Sequence, residues 1–95
     1  MKAYEVFASS DCQFPNGKGE LEDYEAGDYL DTIFMGDKSN AWEVKESLIN
    51  HDGYPSCIRV TQEDCGLEED TEEYATHEDY LDALSDWQFE QRERP

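Results

Sequence analysis

The sequence predicts a small α+β fold: a three-stranded mixed sheet, one crossover helix and a C-terminal amphipathic acidic helix. Short segments rich in β-branched and aromatic residues lie at 3–8, 29–35 and 57–61. A capped amphipathic segment lies between the last two, and the C-terminal stretch repeats apolar residues at helical spacing. With 95 residues the chain suits one domain rather than two, so we expect residues 1–95 to form a single acidic domain.

The first strand is predicted at residues 3–8, AYEVFA, where aromatic and β-branched residues mix. Residues 9–28 contain a proline and an Asn16-Gly17 pair, which are typical of a long turn or an irregular hairpin. Residues 29–35, YLDTIFM, are compatible with a helix or a strand. Because the segment is short and a glycine follows it, we favour a strand.

The predicted crossover helix has a recognisable start and end. Asn40 followed by Glu43 is similar to a capping box. Apolar residues at helical spacing follow, and Gly53 ends the helix. CIRVT, residues 57–61, then predicts a strand whose isoleucine and valine share one face. Because a strand, a helix and a strand follow within about 30 residues, we expect a parallel crossover unit with the first strand packed beside it.

Residues 62–76 form an acidic connector, whose order in the free protein the sequence leaves open. The last helix has two candidate N-caps, Thr76 followed by Asp79 and Asp70 followed by Glu73. Both starts are compatible with the sequence. Two arginines near the C-terminal end suit the negative end of the helix dipole.

This last helix carries acids on one face and apolar residues on the other, at about 100° per residue. The acidic face comprises Glu78, Asp79, Asp82, Asp86 and Glu90. The apolar face comprises Tyr80, Leu81, Leu84 and Trp87, and we expect it to dock on the sheet. Acids four residues apart repel by roughly 0.2–0.5 kcal/mol per pair, whereas burying each large apolar side chain contributes roughly 1.5–3 kcal/mol. Burial of the apolar face therefore outweighs the repulsion between the acids. Folding alone does not explain why the acids are aligned.

Charge dominates the composition and limits the partners. There are 25 Asp and Glu against 7 Lys and Arg, for a net charge of −18. Such a surface repels phosphate, which excludes direct binding to nucleic acid or anionic lipid and favours a basic protein partner. An aromatic content of 13% argues for a folded chain in spite of this charge.

The sequence also predicts a compartment. It contains no apolar run long enough to span a membrane, and the N-terminus lacks the apolar core of a signal peptide. Cys12, Cys57 and Cys65 are odd in number and show no C-x-x-C spacing. This pattern predicts reduced thiols in a cytoplasmic environment.

No catalytic or metal-binding pattern is present. The cysteines, His51 and His77 do not have zinc-ligand spacing, and residues 11–22 are too irregular for a calcium loop. General acid–base catalysis needs a carboxyl group in a dry pocket, for which a small acidic domain has little room. We therefore expect no enzyme activity, no cofactor, no metal and no catalytic residues.

The acids concentrate towards the C-terminus, where 13 carboxylates lie between Glu63 and Glu93. We predict that these acids, with Phe89 as an exposed aromatic anchor, bind a partner through a groove built for phosphates. The predicted partner-binding residues are Glu68, Glu69, Asp70, Glu72, Glu73, Glu78, Asp79, Asp82, Asp86, Phe89 and Glu90.

The negative charge is also compatible with less specific roles. A row of acids on a helix is often only a solvated face, although solubility of a small domain needs a net charge of only about 2–8. The acidity is also compatible with adaptation to high salt, although the three cysteines and the excess of Glu over Asp argue against it, or with solubility in an interaction module that binds through exposed aromatic residues. The sequence carries no signal for an oligomeric state.

In size, charge and acidic rows on a helix, the chain resembles the small DNA-mimic proteins that phages and mobile elements use against host DNA-handling systems. Antirestriction proteins and some anti-CRISPR proteins are of this kind. The segment ESLINHDGYPSCIRV, residues 46–60, is also similar to small phage-encoded proteins. The resemblance implies a non-catalytic inhibitor in the host cytoplasm, with a nuclease, a methyltransferase, a CRISPR complex or another DNA-binding protein as its target.

Overall fold

The computed structural model describes residues 1–15, 18–63 and 67–93 and shows an α+β fold with two helices and two antiparallel sheets. The strands are β1 (Lys2–Ala8), β2 (Cys12–Pro15), β3 (Leu21–Tyr24), β4 (Tyr29–Met35), β5 (Ile58–Gln62) and β6 (Glu69–Asp70). The helices are α1 (Ala41–His51) and α2 (His77–Glu93). The predicted strands and helices are present near their predicted bounds, and β6 is an addition within the acidic connector.

The main sheet has the order β4-β1-β5-β6, and each neighbouring pair is antiparallel. Since β4 and β5 both run antiparallel to β1, they point the same way, and α1 connects them across β1. The prediction that the two strands joined by the crossover helix run parallel to each other is therefore correct. The predicted three-stranded mixed sheet is wrong, because β1 lies between the two crossover strands and β6 adds a fourth strand. The apolar β1 takes a central position in which both of its edges are paired.

The second sheet is the β2–β3 hairpin, so of the two alternatives for residues 9–28 the hairpin is correct, and its described pairs are in regular antiparallel register. The predicted turn at Asn16-Gly17 lies outside the described residues. The Phe14 ring lies 6.1 Å from the Tyr24 ring and 4.7 Å from the Tyr54 ring, between centroids. Because Tyr54 lies three residues after the last residue of α1, this cluster packs the hairpin near the C-terminal end of that helix.

The core lies between one face of the main sheet and α1. Its buried members are Tyr4, Val6, Ala41, Val44, Leu48, Ile58 and Val60. Ile58 and Val60 alternate with the half-exposed Arg59, which confirms that the aliphatic residues of β5 share one face. Each large apolar side chain buried here contributes roughly 1.5–3 kcal/mol to folding.

The ends of α1 are fixed as the sequence predicts. The Asn40 side chain accepts a hydrogen bond from the Glu43 N–H at 2.9 Å, which caps the first turn. At the other end Gly53 has a φ of +74°, a conformation that side chains with a Cβ rarely adopt. The chain turns back there, and the Tyr54 N–H donates to the Leu48 carbonyl at 3.0 Å.

The molecule is elongated, with extents of 55 × 25 × 19 Å and a Cα radius of gyration of 15.0 Å. A compact domain of this length has a radius of gyration of about 12 Å. A larger radius of gyration is expected if α2 extends away from the main sheet. Within residues 1–15, 18–63 and 67–93, no helix combines the length and apolar character needed to cross a membrane.

Candidate functional site

Two side-chain caps connect the acidic connector to α2. Asp70 Oδ1 accepts hydrogen bonds from the N–H groups of Glu72 (2.9 Å) and Glu73 (3.3 Å), which closes a short turn. Thr76 Oγ1 accepts from the Asp79 N–H at 3.2 Å, and α2 begins at the next residue. Of the two predicted helix starts, Thr76 is therefore correct, whereas Asp70 closes a turn that precedes the helix.

The base of α2 is held by a cluster of rings that we call the aromatic anchor, made of Trp42, Tyr74, His77 and Tyr80. The Trp42 ring lies 5.5 Å from the His77 ring and 5.7 Å from the Tyr80 ring, between centroids. Trp42 Nε1 donates to the Tyr74 carbonyl at 3.0 Å, and the Tyr80 hydroxyl donates to the Leu67 carbonyl at 3.1 Å. These contacts attach the first turns of α2 to α1 and to the connector.

The expectation that the whole apolar face of α2 docks on the sheet is wrong. Tyr80 is buried, and its ring contacts Trp42 of α1 and the other rings of the aromatic anchor. Further along, Leu84 and Trp87 are only half-buried and Leu81 is 45% exposed. Since α1 already covers the core face of the sheet, α2 starts beside α1 and packs through its first turns.

Four acids of α2, Glu78, Asp82, Asp86 and Glu90, form the acidic ridge, and all four are exposed. With the exposed Asp79 they place five carboxylates along about 18 Å of helix axis, within an arc of about 120°. The mean spacing of these five charges along the axis is roughly 4.5 Å, which approaches without matching the roughly 3.4 Å per phosphate along one DNA strand. The ridge is thus a continuous anionic stripe on a projecting element.

The helix dipole favours only part of this charge. Glu78 and Asp79 lie in the first turn, where the positive end of the dipole favours acids. Asp86 and Glu90 lie in the second half of α2, where the dipole offers no such gain. Arg92 is the basic residue of the last turn in the described part of α2. The C-terminal half of the ridge therefore stabilises neither the helix nor its packing.

The predicted partner-binding residues of the acidic connector fall into an exposed group and a buried group. Glu68, Glu72 and Glu73 are exposed and available to a partner. Glu69 and Asp70 form β6 and are only 3% and 2% exposed. Their carboxylates lie inside the protein, so we leave both out of the proposed binding surface.

Asp70 and Arg59 form an ion pair with two hydrogen bonds. Arg59 Nε donates to Asp70 Oδ1 at 2.9 Å, and Arg59 Nη2 donates to Asp70 Oδ2. Glu72 adds a longer contact to Arg59 Nε at 3.5 Å. Burial alone raises the pKa of Asp70, but the bonds from Arg59 and from the two backbone N–H groups outweigh it and lower the pKa. Asp70 is consequently a structural anion.

Phe89 is 60% exposed, near the C-terminal end of α2. At 100° per residue it falls between Glu78 and Asp82 in angle, inside the arc of the acidic ridge. A large apolar side chain among charges is suited to contact a partner's apolar surface, although single exposed apolar residues are common.

The described residues contain no group of three or more His, Cys, Asp and Glu side chains placed to hold a metal ion. Comparison of the chain with protein-family models, with curated proteins and with solved structures gives no match. The function must therefore be argued from the surface itself.

The aromatic anchor and the Arg59–Asp70 pair were not predicted from the sequence. A signal for the first exists: Tyr74, His77 and Tyr80 are spaced three residues apart around the start of α2. Arg59 offers a weaker signal, as one charged residue in a strand whose neighbours are aliphatic. The sequence does not indicate which acid pairs with Arg59, because the connector contains several.

Proposed function

We propose that the protein is a non-catalytic inhibitor that imitates the charge of a nucleic acid. It occupies the basic DNA- or RNA-binding groove of a host defence or DNA-handling protein, such as a nuclease, a methyltransferase or a CRISPR complex. The observation that carries the proposal is the acidic ridge, a continuous exposed stripe on a helix that extends from the main sheet. The proposal needs no cofactor, and its site of action is the cytoplasm of a host cell.

The path of the ridge supports the imitation. Residues four apart in an α-helix advance about 6 Å and about 40° in the right-handed sense. A DNA strand also winds right-handed, by roughly 60° over the same 6 Å. A groove lined with lysine and arginine along one phosphate strand can therefore meet successive carboxylates with the charge-assisted hydrogen bonds that it gives to phosphates.

Long-range electrostatic attraction also supports binding to a basic groove. A net charge of −18 attracts a cationic groove and accelerates encounter. Such attraction between exposed charges is screened beyond about 8 Å at physiological ionic strength. Binding through the ridge should accordingly be fast and sensitive to salt.

The proposal can be tested by inhibition assays on a panel of restriction nucleases, DNA methyltransferases and CRISPR complexes. Each enzyme acts on a labelled duplex in the presence of the wild-type protein, of the double variant Asp82→Lys/Asp86→Lys, or of the α1 variant Glu46→Lys. We expect inhibition that excess unlabelled duplex relieves, that the ridge variant loses and that Glu46→Lys retains. Inhibition that the ridge variant retains in full would contradict the proposal.

A second function is favoured by a specific observation, namely the exposed apolar side chains of α2. Leu81 is 45% and Phe89 60% exposed. Under this alternative, α2 is an interaction module that binds through apolar and aromatic contacts, and the acids serve solubility or high-salt adaptation. Binding would then vary little with salt, and Phe89→Ala would weaken it more than Asp82→Lys. The two functions therefore differ in whether binding falls with salt and in whether Asp82→Lys or Phe89→Ala weakens binding more.

A further inference from the structure

Two cysteines lie where the hairpin meets the main sheet. Cys12 is the first residue of β2, and Cys57 immediately precedes β5, 45 positions further along the chain. The Cys12 thiol donates to the Cys57 carbonyl oxygen at 3.9 Å, and the Ser9 N–H donates to the same oxygen at 3.0 Å. Two segments that are distant in sequence are therefore held together at the two cysteines.

The two cysteines are neighbours in space. Both are free and half-buried. Burial raises the pKa of Cys12 to about 11, and a hydrogen bond with the Cys57 side chain adds to the increase. The contact at 3.9 Å between Cys12 Sγ and the Cys57 carbonyl oxygen places the two residues side by side, and a close approach of the two side chains is the first geometric requirement for a disulfide.

We propose that Cys12 and Cys57 form an internal disulfide when the protein meets a low-molecular-weight disulfide such as oxidised glutathione. The bond fastens the β2–β3 hairpin to the start of β5. This modification site is independent of the proposed inhibitory function, because it lies outside α2 and the connector.

The chemistry is a thiol–disulfide exchange in two steps. One cysteine loses a proton to solvent and attacks a glutathione sulfur, which forms a mixed disulfide and releases one glutathione thiolate. The other cysteine loses its proton and attacks the protein sulfur of the mixed disulfide, which releases the second glutathione. The two electrons lost by the protein reduce one molecule of oxidised glutathione to two of glutathione.

The physical consequence is a redox-dependent attachment of the hairpin. In the reduced protein, the hairpin is held by weak contacts such as the one between Phe14 and Tyr54. The disulfide would close a long loop in the unfolded chain and stabilise the folded state. Because only thiolates attack disulfides, the exchange should accelerate as the pH is raised.

The test uses the full chain with Cys65→Ala, so that no third thiol competes. The folded, reduced protein is incubated with oxidised glutathione and measured by intact mass, peptide mapping and thermal unfolding. We expect a product lighter by two hydrogen atoms, a Cys12–Cys57 peptide pair, and a melting temperature raised by about 10 °C that a reductant restores. Peptide mapping of the oxidised wild-type chain gives the same test without the variant.

Two controls make the result decisive. Adding Cys57→Ser should stop the reaction at a single glutathione adduct on Cys12. The internal bond should also form faster in the folded protein than in guanidinium, where the two thiols meet only through a flexible loop. Glutathione adducts without an internal bond, or equal rates in the folded and unfolded chain, would overturn the proposal.

Discussion

Asp70 lies in a run of acidic residues, yet its surroundings differ from those of its neighbours. Its carboxylate is buried and accepts hydrogen bonds from the Arg59 side chain and from the Glu72 and Glu73 backbone. An ionised carboxylate removed from water is tolerated only with such partners. The residue joins β5 to the turn that precedes α2, so one carboxylate attaches that turn to the main sheet.

Asp70→Ala should lower the free energy of unfolding by about 2–4 kcal/mol, since it leaves the Arg59 guanidinium and two N–H groups without their acceptor. The partial exposure of Arg59 moderates the loss, because water can hydrate the guanidinium. Urea unfolding at neutral pH measures the change, with the exposed Glu73→Ala as the matched control. A loss as small as that of the control would show that the ion pair contributes little.

The same carboxylate predicts a pH dependence. The pKa of Asp70 is lower in the folded protein than its ordinary value of about 3.9, so the unfolded chain binds more protons in that range. Its contribution is fully present above pH of about 4 and is lost as the pH falls through the lowered pKa. Asp70→Asn should make the free energy of unfolding, measured by urea titration at a series of pH values, fall less steeply below pH of about 4. An unchanged fall would show that other carboxylates cause it.

At the scale of elements, α2 is a helix whose acids oppose its own stability. Successive members of the acidic ridge are four residues apart and repel one another. Packing offsets this only near the base, at the aromatic anchor. Beyond the packed turns, the acidic ridge contributes nothing to folding. This favours a role for the ridge in binding a partner.

Asp82→Lys should stabilise α2 and, under the proposed function, weaken partner binding. The change converts three repulsive spacings, to Glu78, Asp79 and Asp86, into attractive ones, for a gain of about 1–2 kcal/mol. Native-state hydrogen exchange of the α2 amides measures the gain locally, and Glu46→Lys in α1 controls for the change in net charge. Unchanged or weaker protection of the α2 amides would contradict this account of the ridge.

Elements with a local signal were predictable, and their arrangement was not. The cap at Asn40, the stop at Gly53 and the alternation in β5 depend on neighbours in sequence, and all three are present. The position of β1 between β4 and β5 depends on pairing between distant segments, which a periodic pattern does not encode. For the same reason, the acidic ridge follows from helical spacing, whereas the burial of Glu69 and Asp70 does not.

At the scale of the whole molecule, the structure is longer than a compact chain of its size. Small-angle scattering should give a radius of gyration close to the 15.0 Å of the Cα atoms, rather than the about 12 Å of a compact domain. High salt should not shorten the molecule, because its shape is set by the aromatic anchor and not by charge repulsion. A radius near 12 Å would mean that α2 folds back on the sheet and that its acids are less accessible.

The net charge gives the whole molecule its proposed role, so the most direct measurement is the salt dependence of binding to an enzyme that it inhibits. The affinity is determined by displacement of labelled duplex DNA from that enzyme at increasing salt. For the wild-type protein and Glu46→Lys, we predict a fall of about a hundredfold or more between 50 and 200 mM salt. Asp82→Lys/Asp86→Lys should displace no duplex at any salt concentration. An affinity that stays constant with salt, or a ridge variant that binds as well as the wild type, would contradict the claim that a cationic groove holds this helix.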